Sequence, residues 1–213
     1  VRATISGLPA IITPTLDVRK RAIGGSYYDL GKGLIKTPSK VKTALKVAEE
    51  AQENFEESLF RGETLSWVDR KRPFNGDLRF GIVSHPYITY DRFINLDLLG
   101  MLERLGVGFF TTEMVEPSVI DLETQTIRKR IYYTYGKSNV GAAFSFLNRG
   151  EVDGLIYLLS FSCGPDSLLK ELIDGRARFS RVPYMSLILD EHSGIGGIET
   201  RVEAFVDMVR RKK

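Results

Sequence analysis

The strongest constraint in this sequence is a pattern that recurs four times from residue 78 onward. An apolar run too short for a helix gives way to a segment of helical periodicity. The apolar runs are LRFGIVS (78–84), VGFFTTEMV (107–115), VDGLIYLLSFS (152–162) and PYMSLILDE (183–191). The segments behind them are DRFINLDLLGMLERLG, SNVGAAFSFLNRG, GPDSLLKELIDG and GIETRVEAFVDMVRRKK. In the first, Ile94, Leu98, Met101, Leu102 and Leu105 recur on one face and Gly106 supplies a stop. In the last, Ile198, Val202, Phe205, Val206 and Val209 do the same. The third and fourth runs are apolar at consecutive positions, which is how strands covered on both faces read.

Alternating strands and helices of these lengths predict a parallel sheet. The expected fold class is therefore α/β: a doubly wound sheet of about four strands in the order 2-1-3-4, of Rossmann or flavodoxin-like type, spanning 77–213. Residues 1–76 read differently. In TPSKVKTALKVAEEAQENFEESLFRG, Pro38 and Ser39 open a long amphipathic helix over 39–61, with Val41, Leu45, Ala48, Phe55 and Leu59 at helical spacing and Gly62 as its stop. The glycine- and proline-rich stretch before it predicts irregular structure with one short strand in AIIT, and DRKRPFNGD reads as a linker.

Several function classes are excluded or weakened at once. No apolar run approaches the roughly 18 residues of a spanning helix, and no signal peptide opens the chain, so no membrane partner is expected. A net charge of +3, with its basic clusters scattered along the chain, gives no nucleic-acid surface. One cysteine in 213 residues leaves no internal disulfide and fits a reducing, cytoplasmic setting.

Open parallel sheets bind ligands beyond the carboxyl ends of their strands, and the rare residues collect there. His85 follows the first run, Cys163 the third, and Asp190, Glu191 and His192 the fourth. The chain's single thiol and its two imidazoles are thus placed on one edge. Cys163 precedes Gly164-Pro165-Asp166-Ser167, a helix start whose proline and acidic first turn suit the amino end. That position favours thiolate, although a small buried hydrophobe is the alternative. His85 precedes Pro86 and Tyr87, which fixes an extended exit; it reads either as a ligand or as a turn residue bonded to backbone. His192 lies in a glycine-rich turn where Asp190 or Glu191 would orient it. The turn SGIGGIET opens a helix and suits an anion, with Thr200 beside it; Arg201 either clamps that anion or pairs with Glu199 or Glu203. From residue types alone three chemistries compete: a Cys–His nucleophile pair, an iron–sulfur cluster, and zinc held by Cys163, His85, His192 and a carboxylate. Zinc has the most complete donor set.

Three stretches carry a family resemblance: GIVSHPYITYD, VDGLIYLLSFSCGPDS and LILDEHSGIGGIETRVEAF. Over most of residues 78–209 the chain resembles the acyl-CoA dehydratase activase-related proteins, kin of the activators and iron–sulfur subunits of 2-hydroxyacyl-CoA dehydratases and benzoyl-CoA reductases. The resemblance implies stacked α/β domains around a [4Fe-4S] cluster and ATP-coupled, low-potential electron transfer to an acyl-CoA or similar substrate, in a dehydratase or reductase. It makes Cys163 one cluster ligand, with the others outside this chain. His85, Tyr87, Asp166, Ser167, Asp190, Glu191, His192, Thr200 and Arg201 become cleft residues. The opening VRATISGLPAII, without an initial methionine, reads as the middle of such a protein. The expected partners are accordingly an amino-terminal half or partner subunit supplying the other thiolates, and an ATP-dependent activator. A homodimer through the apolar face of helix 39–61 is also expected, and the chain alone is expected to be inactive.

Overall fold

The computed structural model describes residues 7, 9, 11–13, 15–17, 20, 22–35, 37–61, 76–161 and 163–213. The chain forms two compact units, Val1–Glu56 and Glu57–Lys213.

In the first unit the expected irregular stretch contains a helix, α1 (Ile23–Leu34). Its glycines lower helix propensity by about 1 kcal/mol each relative to alanine, which hides it from periodicity. Gly31 has a packing reason: a Cβ there would meet Val41 Cγ1 at 2.5 Å, so the missing side chain makes room for Val41. No strand forms over 11–13, and Ala10 lies outside the described residues. The long helix follows as α2 (Pro38–Phe60), one residue longer at its start than its periodicity predicts. Val41 is its buried residue, whereas Val47 and Phe55 are exposed. The expected stop at Gly62 and linker residues 69–75 lie outside the described residues.

The second unit is the expected parallel sheet. Its strands are β1 (Leu78–Val83), β2 (Val107–Thr111), β3 (Gly154–Ser160) and β4 (Tyr184–Leu189), in the order β2-β1-β3-β4 with every pairing parallel. After β1 come α3 (Pro86–Tyr90) and α4 (Leu98–Arg104). A 3-10 turn at Thr112–Met114, α5 (Pro117–Thr124) and α6 (Thr134–Arg149) follow β2. Helices α7 (Gly164–Ala177) and α8 (Ile195–Lys212) follow β3 and β4. Side chains alternate across β3: Ile156 and Leu158 join Leu102, Val202 and Val206 on one face. Leu155, Tyr157 and Leu159 join Val140, Phe146 and Ile173 on the other. Helices α4 and α8 therefore cover one face, α6 and α7 the opposite one, and the sheet is wound on both sides.

Three local expectations are corrected. The helix expected over 91–106 is confined to Leu98–Arg104, because the Asp91 carboxylate accepts the amides of Phe93 and Ile94, and Leu96 and Asp97 take positive φ. Ile94 is consequently exposed rather than on the helix face. Strand β2 stops at Thr111 instead of running to Val115. Strand β4 is not covered on both faces: it pairs only with β3, and Ile188 is exposed. Gly106 and Gly150 end α4 and α6 at φ 70 and 68, as left-handed caps require.

The end of α8 and the residue behind it are tied to the start of the sheet. Arg210 Nε donates to Asp77 Oδ2 at 3.2 Å, Lys213 Nζ donates to the Asp77 carbonyl at 2.9 Å, and Lys213 also pairs with Asp153 at 3.1 Å.

Candidate functional site

The order β2-β1-β3-β4 creates one place where the chain leaves neighbouring strands in opposite directions along the sheet, from β1 outward to β2 and from β3 outward to β4. From β1 it passes to α3 and α4, from β3 to α7, and a crevice opens between the two carboxyl ends. His85 and Cys163 stand on its two sides. His85 is extended before Pro86 (φ -71, ψ 144), as the proline demands, and Pro86 opens α3 at once. Cys163 is the residue preceding α7; its carbonyl accepts the Ser167 hydroxyl at 3.0 Å.

The centre of the site is Asp166. In the first turn of α7 it is 1% exposed, and its Oδ1 lies 3.0 Å from His85 Nε2. A carboxylate can only accept, so Nε2 carries the hydrogen and the imidazole is held in one tautomer. The second oxygen, Oδ2, is buried and has no hydrogen-bond partner among the described residues. Unmade buried acceptors cost free energy and mark places where a structure serves something other than its own stability. Aromatic rings enclose the pair: Tyr87 stacks on His85 at 5.6 Å between centroids, and Tyr135 meets it edge-on at 5.4 Å. Tyr133 reaches the Pro165 carbonyl at 3.4 Å, and the buried Tyr157 hydroxyl reaches the Asp166 carbonyl at 3.4 Å.

The electrostatics correct one expectation. Cys163 has its pKa raised, first by burial and further by the neighbouring Asp166 carboxylate, while the Asp166 amide pulls the other way. The thiol, not the thiolate, is the favoured form. Burial likewise raises the Tyr87 and Tyr133 phenols, with the Asp166 and Cys163 charges adding to it.

The remaining sequence-predicted residues divide. Asp190 and Glu191 line a cavity of about 430 Å³ with Tyr87, Ile88, Ser160, Phe161 and Ser193, on the β4 side of the crevice. Asp190 accepts the Ser193 hydroxyl at 2.8 Å, the first cause of its lowered pKa. His192 stands outside: its ring is 86% exposed and approaches Glu191 at 3.8 Å. Thr200 donates to the Gly196 carbonyl, and Arg201 donates to the Ser186 carbonyl of β4 at 3.1 Å. Neither Thr200 nor Arg201 lines the cavity. The glycines that open α8 have nothing within 4 Å of a built Cβ at 194, 196 or 197. The four-donor zinc set is not assembled: among the described residues no group of three or more His, Cys, Asp or Glu side chains is placed to hold a metal ion. Sequence reasoning missed the tyrosines at 133 and 135. Their only signal was the aromatic run YYTY ahead of a helix.

The family described as CoA enzyme activase uncharacterised domain matches residues 1–115. Comparison with curated proteins gives no match.

Proposed function

This chain belongs to the CoA enzyme activase uncharacterised domain family, and from that premise we propose that it acts in ATP-coupled, low-potential electron transfer of the 2-hydroxyacyl-CoA dehydratase type. In this reading a partner enzyme completes the system, and the β1–β3 crevice is the contribution of the α/β unit. The carrying observation is the cluster at that crevice: the single thiol beside a buried carboxylate that already holds one imidazole and has an oxygen to spare.

A [4Fe-4S] cluster takes three or four thiolates, and this chain has one cysteine, in surroundings that favour its protonated form. These residues do not fit a cluster by themselves. Cys163 therefore takes one ligand position in this reading, with the remaining thiolates supplied by another segment or subunit. His85 and Asp166 hold the rim in shape, and Tyr87, Asp190 and Glu191 face the adjoining cavity. No helix among the described residues is long and apolar enough to cross a membrane.

The test is anaerobic purification of the native assembly, wild type against Cys163→Ala, with iron and acid-labile sulfide measured per chain. Loss of cluster content with retained fold supports the reading; unchanged content removes Cys163 from the ligand set and overturns it. A second reading, a non-enzymatic module that docks a partner at this rim, is favoured by the exposed Tyr87, Phe93, Tyr135 and Phe161. Under it Cys163→Ala leaves partner binding intact.

A further inference from the structure

Helix α7 buries one side against the sheet and α6, through Asp166, Leu169 and Ile173. Its solvent side should be polar throughout, and along one line it is not. Leu168 is 72% exposed, Leu172 is 40% exposed, and Phe179, on the turn just past the helix, is 91% exposed. With Gly175 they fall at i, i+4, i+7 and i+11, one continuous stripe pointing away from the core. Gly175 has nothing within 4 Å of a built Cβ, so no neighbour among the described residues requires a glycine there.

We propose that this stripe is the interface of a two-fold homodimer in which α7 packs antiparallel on α7 of a second copy, independently of the redox reading above. The stripe is complementary to itself. Antiparallel pairing about a two-fold axis near residues 173–174 sets each Leu172 over the partner copy's glycine at 175. It also sets each Leu168 against the ring of Phe179: knob into hole at the centre, aliphatic on aromatic at the ends. Charge follows the same symmetry. Glu171 and Arg178 are both exposed, lie on the same flank of the stripe by helical angle, and form no ion pair with any described residue. The two-fold brings each Glu171 to the opposite Arg178, giving two equivalent pairs whose main effect is orientation and register. The antiparallel arrangement also sets the macrodipoles of the two helices head to tail.

Sedimentation velocity and light scattering on the full chain test this, with circular dichroism as the control for fold. The wild type is expected to dimerise with a Kd tighter than about 1 mM. Gly175→Tyr adds a Cβ that meets no described residue within 4 Å, so it is expected to fold normally, with circular dichroism as the check, and to be monomeric. Glu171→Arg and Arg178→Glu are each expected to weaken the dimer about tenfold, the loss of about 1.4 kcal/mol, and the double exchange to restore it. A wild type monomeric at about 1 mM overturns the proposal. So does a dimer that survives Gly175→Tyr, or charge exchanges that fail to rescue each other.

Discussion

Replacing Asp166 with asparagine separates a working carboxylate from a structural one. Two terms oppose each other at this residue. The bond from His85 Nε2 to Oδ1, at 3.0 Å, is charge-assisted and contributes about 1.5–3 kcal/mol. The second oxygen is buried without a partner among the described residues, and such an orphan costs about 1–3 kcal/mol. Asparagine keeps a carbonyl for His85 and replaces the charged orphan oxygen with a neutral amide nitrogen, which costs less to leave buried without a partner. The loss of charge assistance is offset by the lower cost of the orphan, so the expected net change is within about 1 kcal/mol, a Tm shift of no more than ~2–4 °C for a chain of this size. A carboxylate whose purpose is to anchor the fold behaves otherwise: breaking a buried ion pair costs about 3–5 kcal/mol. Urea denaturation followed by circular dichroism distinguishes the two, read from the midpoint at unchanged slope. Destabilisation above about 3 kcal/mol would refute the reasoning and make Asp166 a structural anchor.

Two further outcomes follow from the electrostatics. Because burial and the Asp166 carboxylate both raise the Cys163 pKa, iodoacetamide should alkylate it at neutral pH more slowly than a free thiol. Asp166→Asn removes the carboxylate and keeps the main-chain amide, so it should speed the reaction; an unchanged rate counts against the assigned cause. At Asp97 burial pushes the pKa up, but hydrogen bonds from Arg104 and Arg92 outweigh it and leave the value lowered. A carboxyl with a folded-state pKa below its unfolded one adds stability that is complete above pH ~4 and lost as the pH falls through the folded value. Asp97→Asn, which tolerates the left-handed backbone there (φ 58), should lower stability at neutral pH and flatten the acid limb. An acid limb identical to wild type would show the two arginines to be surface ornaments.

The sheet order was legible because alternating strands and helices of these lengths have 2-1-3-4 as their usual small-domain solution, and β3, apolar from Leu155 to Leu159 apart from the Tyr157 hydroxyl, reads as a strand covered on both faces. Strand β4 looked the same in sequence, yet Ile188 is exposed: a run of apolar residues reports strand character and not which edge is left bare. Helix α4 was over-read because Ile94 keeps helical spacing with Leu98 and Met101 while Asp91 ties up the amides that a longer helix would need. Helix α1 was under-read because the helical use of Gly31 depends on Val41, in a different helix. At the site, strand-end logic placed His85 and Cys163 on one crevice but could not separate His192 from them, since all three follow strands. Asp166 was legible only as a favourable charge in a first helical turn. Its bond to His85 joins residues 81 apart in sequence, and no local pattern encodes that distance.

The knot of Asp77, Asp153, Arg210 and Lys213 has a topological consequence. The α/β unit is cinched between the start of its sheet and the end of α8, at the edge remote from the crevice, so those two points of the chain are neighbours. Such a cassette tolerates circular permutation: joining 213 to 77 and reopening an exposed turn elsewhere leaves the rim undisturbed. By the same geometry it can be spliced into a host polypeptide as a single loop without prying its sheet apart.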